Sequence, residues 1–233
     1  MEHIIKKQVA EFRLTNNLKK YSPVNTYDLL EKLKILTVFL PCANTISGMA
    51  IKAGNHRFMM INSNLPLGRQ HFTICHEIYH LFIQEEFESI SCLTGAFDKK
   101  NKDEFSADLF AAFLMMPEDT IYAEIPEVEF EQKCISDKTI FKLEQKLQCS
   151  HQALLFRLHN LKIITKEQYQ KEKEEKGIAK KAKRLGFDDF LYKPGNANKV
   201  IGDYENLAKK IYDLDKISES HYISFLQDIF KEI

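Results

Sequence analysis

Apolar positions change their period several times along the chain, and each change marks an element. Ile4, Ile5, Val9, Phe12 and Leu18 recur at helical spacing and predict an amphipathic helix over 4–20, which Ser22-Pro23 ends. Asn25 or Thr26 can cap a second helix reaching about residue 34, with Leu29, Leu30 and Leu33 inward. The pattern then shortens to apolar or alternating runs at 37–40, 49–53 and 58–61, separated by Pro41, Gly48 and Gly54-Asn55. These predict a small antiparallel meander whose last two strands form a hairpin. Two long apolar stretches follow, 72–83 and 105–116, hydrophobic on several faces and so expected to be buried helices. Between them 84–102 is polar and irregular, and is expected to be a surface connection rather than a lid.

Pro117 suits the first turn of a further helix running towards Ile125, and 126–129 is an acidic break. Two helices at 136–148 and 150–160 each start on a serine that can cap them, with almost nothing between them. Ile140, Leu143, Leu147, Leu154, Leu155 and Leu158 face inward, and 161–164 is a short strand or turn. Such a pair is compatible with a helix-turn-helix. Its basic residues, Lys138, Lys142, Lys146 and Arg157, are diluted by Asp137 and Glu144, so DNA reading is weakly supported. Residues 165–184 predict a charged helix with a solvated face. The Gly-, Asn- and Pro-bearing stretch 186–199 is the best boundary, and helices at 203–213 and 218–230 form a hairpin after it. The expected fold is α+β and predominantly helical, with the small antiparallel sheet packed on the helix of 72–83. The expected divisions are 1–126, a helix-turn-helix-like region at 127–185, and the C-terminal hairpin at 186–233.

Composition narrows the function. The chain has 233 residues, 44% of them hydrophobic, and 33 basic against 33 acidic side chains. That balance suits a folded soluble protein and disfavours nucleic-acid binding by bulk charge. Five cysteines form no Cys-x-x-Cys and leave an odd count, so neither a disulfide framework nor a thiolate metal site is indicated. No apolar run of membrane-spanning length occurs, and the N-terminus lacks a signal-peptide core. A cytoplasmic protein without a membrane segment is expected.

The chemistry concentrates in His76-Glu77-x-x-His80. On a helix, residues four apart lie one turn above each other, so His76 and His80 can aim two imidazoles at one zinc ion. Glu77, one residue on, is close enough to serve as general base towards a water held by the metal. Putting two histidines and a glutamate on a buried helix is costly unless they are satisfied, and a metal satisfies all three. Downstream, Glu104 and Asp108 repeat the spacing on the second apolar helix. A carboxylate there can complete the metal's ligands, and Asp108 can accept the outer N–H of a ligand histidine. Otherwise the two form the solvated stripe of an amphipathic helix.

The run Arg69-Gln70-x-Phe72-Thr73-x-x-His76-Glu77-x-x-His80, followed by Glu104-x-x-Ala107-Asp108-x-Phe110-Ala111-Ala112-x-Leu114-Met115-Met116-Pro117, resembles the ImmA/IrrE metallopeptidases. The likeness covers roughly 25–165. It implies His76, His80 and Glu104 as zinc ligands, Glu77 as catalytic base and Asp108 as partner of a ligand histidine. It also implies a gluzincin-type endopeptidase whose substrate is a helix-turn-helix repressor of phage or stress-response type. In gluzincins an edge strand before the metal helix cradles substrate, and 58–61 is the candidate here. Two positions depart from the pattern, Tyr79 where Gly is common and Cys75 where a small residue is usual; neither removes a ligand. His56, His71, Tyr79 and Tyr122 are undifferentiated candidates for stabilising the oxyanion. The alternatives are a binding module that keeps a structural zinc and sequesters a repressor, and a DNA-binding regulator using 136–184.

Overall fold

The computed structural model describes residues 1–85, 87, 89–92, 94, 97 and 101–229, with 89–92 and 228–229 described by backbone alone. In chain order the elements are α1 (Glu2–Thr15), α2 (Thr26–Lys32), β1 (Leu36–Leu40), β2 (Gly48–Ala53), β3 (His56–Asn62), α3 (Leu67–Phe82), β4 (Ser89–Cys92), α4 (Lys102–Met115), α5 (Glu118–Glu124), α6 (Glu127–Glu131), α7 (Asp137–Leu147), α8 (His151–Asn160), α9 (Lys166–Glu174), α10 (Ile178–Arg184), β5 (Val200–Ile201), α11 (Tyr204–Asp213) and α12 (Glu219–Ile229). The architecture is α+β and predominantly helical, with a small sheet packed on α3, as the pattern predicts. Much of the 84–102 connection, and the end of the last helix at Phe230, lie outside the described residues.

The sheet departs from a simple meander. Its order is β4-β2-β3-β1-β5, and β1 runs parallel to β3, with Leu36 opposite Phe58 and Leu40 opposite Asn62. Asn62 supplies the physical reason. Its buried amide nitrogen donates to the carbonyls of Cys42, Ala43 and Ile46 at 3.2, 3.0 and 2.8 Å, and its oxygen accepts the Cys42 N–H at 3.0 Å. The segment after β1 therefore wraps over the end of β3 and sets β2 down on the far side. From there β2 returns to β3 through the Gly54-Asn55 turn as an antiparallel hairpin. The candidate substrate strand 58–61 is thus an inner strand, paired on both sides by β1 and β2, and offers no edge to an extended peptide.

One face of the sheet (Phe39, Ala50, Met59, Ile61) shares a core with Leu29 and Leu30 of α2 and with Ile74, Ile78 and Leu81 of α3. Each fully buried Leu, Ile, Phe or Met side chain among them contributes about 1.5–3 kcal/mol. Helix α4 is buried from Phe105 to Met115, so it belongs inside the molecule and not on its surface. Its start is fixed by Asn101, whose side chain accepts the N–H groups of Asp103 and Glu104. Its far end is fixed by two buried arginines: Arg13 donates to the Leu114 carbonyl, and Arg157 Nε donates to that of Met116 at 3.2 Å. These satisfy carbonyls that a helix end leaves without partners.

Ser136 and Ser150 cap α7 and α8 as expected. The turn between them docks on the start of α3, where a β-carbon at Gly68 would sit 2.9 Å from the Cys149 carbonyl oxygen. Helix α8 is mostly buried, leaving Gln152 and Asn160 as its exposed residues. The charged helix of 165–184 is two helices. Gly177 breaks it at φ +75°, and the turn lets the Lys181 ammonium reach Asp137 at 2.7 Å, together with Glu172 and Glu175.

The stretch 186–199 packs back on the fold. Leu191 is buried, the Tyr192 hydroxyl donates to Glu144, and the Gly195 carbonyl accepts from Gln70 at 3.0 Å. Asn196 reaches Tyr27 and Gln70, and the Phe39 N–H donates to Lys199 at 2.9 Å before β5 joins the edge of β1. Beyond it α11 and α12 pair with each other, Tyr212 stacking on Tyr222 at 4.8 Å.

Candidate metal centre

Helices α3 and α4 lie side by side, and their four-residue spacings converge. His76 Nε2 and His80 Nε2 are 3.1 Å apart. Glu104 closes the triangle, one oxygen 3.2 Å from His76 Nε2 and the other 3.4 Å from His80 Nε2. Two donors bound at about 2.0–2.1 Å to a tetrahedral ion stand about 3.3–3.4 Å from each other. The triangle has that size, so these three residues can hold a metal ion. Both histidines are fully buried, and the Glu104 side chain keeps 21% of its exposure, leaving one side of the triangle towards solvent.

The outer nitrogens turn the inner ones into metal donors. His76 Nδ1 lies 2.9 Å from Asp108 Oδ1, and His80 Nδ1 lies 2.6 Å from Gln84 Oε1. Both partners are oxygens that accept, so in the neutral rings each Nδ1 carries the proton and each Nε2 presents a lone pair. Two lone pairs and a carboxylate then meet at one point. Burial, reinforced by the neighbouring His76, lowers the His80 pKa below the ordinary imidazole value, which keeps that ring neutral. Asp108 is itself held, since its second oxygen accepts the Phe97 N–H at 2.7 Å.

Glu77 is fully buried on α3, three residues before His80 and so on an adjoining face. The predicted ligands and Asp108 are brought together; of the oxyanion candidates, His56, His71 and Tyr122 are engaged or exposed elsewhere, and Tyr79 lies against His80. His71 is engaged with the Gln148 carbonyl at 2.9 Å and the Tyr27 hydroxyl at 3.3 Å, by the α7–α8 turn. His56 is exposed at the hairpin end of β3, and Tyr122 is exposed and packs on Phe130. Tyr79 packs its ring edge-on against His80 and tilted against Phe110, which is how α3 accommodates a large residue there. Cys75 is buried, and burial pushes its thiol pKa up to about 12, so it behaves as a small apolar residue on the inner face of α3.

The sequence reading missed Gln84. The signal was available, because 84 continues the series 76, 80 by one more turn, but Gln84 follows the end of α3 and was assigned to the connection. It is turned back by its own N–H, which donates to the Tyr79 carbonyl at 3.0 Å. Arg69, which opens the motif, donates from its guanidinium to Ser47 and to the Thr94 carbonyl near the start of the same helix. Among the described residues no helix is long and apolar enough to cross a membrane.

No curated protein matches the chain significantly. A family profile does: Peptidase_M78, described as the IrrE N-terminal-like domain, matches residues 30–159, a span that runs from α2 to α8 and holds the whole triangle with Glu77 and Asp108. The chain belongs to this ImmA/IrrE family of metallopeptidases.

Proposed function

We propose that the chain is a zinc-dependent endopeptidase that cuts a helix-turn-helix repressor and so relieves repression of the genes it controls. The observation that carries the peptidase reading is the triangle of His76, His80 and Glu104 with Glu77 on the adjoining face of α3. Two imidazoles and a carboxylate are a donor set that suits zinc. A zinc ion held there supplies a Lewis acid that acidifies water and polarises a scissile carbonyl. Glu77 takes the proton of the attacking water and returns it to the departing amine. Asp108 and Gln84 hold the two imidazoles in the tautomer that turns Nε2 inward. The ImmA/IrrE likeness supports a repressor as substrate, and a cytoplasmic setting fits that substrate and the unpaired thiols of Cys42, Cys75, Cys134 and Cys149.

The test mixes wild type and Glu77→Gln with candidate repressors, with and without a chelator, and maps fragments by mass spectrometry. Cleavage is expected from metal-loaded wild type alone, with Glu77→Gln capturing the partner uncut. Equal cleavage by both, or cleavage that survives full metal removal, sinks the mechanism. Tight metal-dependent capture without any cut makes the protein a binding module instead.

A further inference from the structure

We propose that the cavity beside Arg69, at the start of α3, is a subsite that binds an acidic side chain of the protein being cut. This deepens the peptidase reading and rests on it for the substrate. The cavity measures about 270 Å³ and lies where the starts of α3 and α8 meet the α9–α10 turn. Arg69, Gln152 and Lys173 line it with polar groups, and Ile178 and Leu191 with apolar ones. Pockets that take whole small molecules run to about 300–1,000 Å³, so this one suits a side chain or two of a longer chain.

The charge on its walls is unbalanced. Arg69 is half-buried, and its Nη2 donates to Ser47 Oγ at 3.3 Å and to the Thr94 carbonyl at 3.2 Å. Among the described residues its Nε and Nη1 have no acceptor, and no carboxylate pairs with it. Arg157, by contrast, has Glu118 at 3.1 Å. Burial pulls the Arg69 pKa below the ordinary guanidinium value, and Asp108, which offsets this by charge, is already bonded to His76 and Phe97. Lys173 is exposed and lies 5.7 Å from the Tyr169 ring, also without a paired carboxylate among the described residues. The carboxylate on the cavity wall, Glu175, is held by Lys181, and the His151 imidazole is matched by Glu144. Two cations are left in want of an anion, and an arginine fork fits a carboxylate.

Position ties the cavity to the metal triangle. Arg69, Thr73, His76 and His80 fall on one stripe of α3, with Arg69 two turns before His76. At about 1.5 Å per residue that is about 10 Å, the length of about three residues of extended chain. The outermost strand on this side of the sheet, β4, covers the same stretch. Phe87 before it stacks on His80 at 5.3 Å, and Thr94 after it meets the Thr73 hydroxyl at 2.9 Å. A chain that follows this strand with its scissile bond at the triangle reaches Arg69 with about its third or fourth residue.

The test uses zinc-loaded enzyme and a repressor that wild type cuts, with Glu or Lys placed three and four residues to either side of the cut. At one of these positions Glu is expected to exceed Lys in kcat/KM by about 10-fold, as a charge-assisted hydrogen bond supplies. Arg69→Glu is expected to remove or invert that order, which loss of a merely structural contact would not do. No preference in wild type, or an order unchanged in Arg69→Glu, overturns the proposal. Should Arg69→Glu lose its zinc or its fold, the order in Lys173→Glu decides in its place, and is expected to weaken several-fold. If wild type cuts nothing, the peptidase reading falls and binding alone judges the cavity. The Arg69 Nε–H signal is then followed by NMR while acetyl-Ala-Glu-Ala-amide, its Gln counterpart or inorganic phosphate is added. The Glu peptide is expected to shift it and the Gln peptide to leave it in place. A shift with phosphate alone, an equal shift with both peptides, or no shift overturns the proposal.

Discussion

His76 and His80 face each other through Nε2 atoms 3.1 Å apart, although the opposite nitrogen of each ring is already committed to an oxygen. Neither ring can bond the other in that state, and Glu104 adds negative charge to the same point. The arrangement is one a cation stabilises and its absence strains.

Purified protein is therefore expected to hold about one zinc per chain. Ala at His76, His80 or Glu104 should abolish stoichiometric metal, whereas Glu77→Gln should keep it. Elemental analysis of dialysed protein reads this directly. If all four variants hold zinc like wild type, the ligand assignment is wrong.

Asp108→Ala is expected to weaken zinc by about 10–100-fold, the usual effect of removing the acceptor that fixes a ligand histidine. Gln84→Ala should act in the same direction through His80, and more weakly, because its amide oxygen carries no charge. Competition against a chelator of known affinity measures both. Unchanged affinity in Asp108→Ala would reduce the 2.9 Å contact to packing.

Most of the site was legible because its geometry is local. His76 and His80 are one turn apart in a single helix, and Glu104 and Asp108 repeat that spacing, so periodicity alone placed each pair. That the two pairs meet depends on α3 lying against α4, which the repeated spacing suggested and the family likeness implied. The parallel pairing of β1 with β3 was not legible, since it hangs on one buried amide, Asn62, reaching back to residues 42–46. Nor was the packing of 186–199. Its Gly, Asn and Pro content reads as a linker, yet Asn196 and Gly195 use backbone and amide groups to bond Gln70 of α3. Polar loop residues that pair with a distant helix leave no periodic trace.

That packing sets an expectation for truncation. A chain ending near Gly186 loses Leu191, the contacts to Gln70 and the β5 strand, exposing the start of α3 and one edge of the sheet. It is expected to be poorly soluble or to unfold at markedly lower temperature. A chain ending at Gly202 keeps those contacts and loses only α11 and α12, so it should fold and bind zinc. Thermal denaturation and zinc content of the two distinguish them. A stable, metal-binding chain ending at 186 would make the whole C-terminal stretch dispensable.

The last expectation concerns pH and lies away from the metal. His151 Nδ1 stands 2.6 Å from Glu144 Oε1, both side chains are buried, and the Tyr192 hydroxyl holds the other Glu144 oxygen. Burial by itself lowers the imidazole pKa. The hydrogen bond and charge of Glu144, aided by Glu172, outweigh it and raise the value above 6.5. A group bound more tightly to its proton in the folded state contributes stability that is fully present below the unfolded pKa and lost as pH rises through the folded one. Wild type should therefore exceed His151→Gln in stability by about 1.5–3 kcal/mol at pH 6, typical of a charge-assisted hydrogen bond. The difference should shrink as pH rises towards 9. Urea unfolding of both proteins across that range, with a chelator present to remove metal effects, isolates the imidazole because the remaining titrating groups are shared. A difference that stays flat would mean that His151 is neutral in the folded chain throughout.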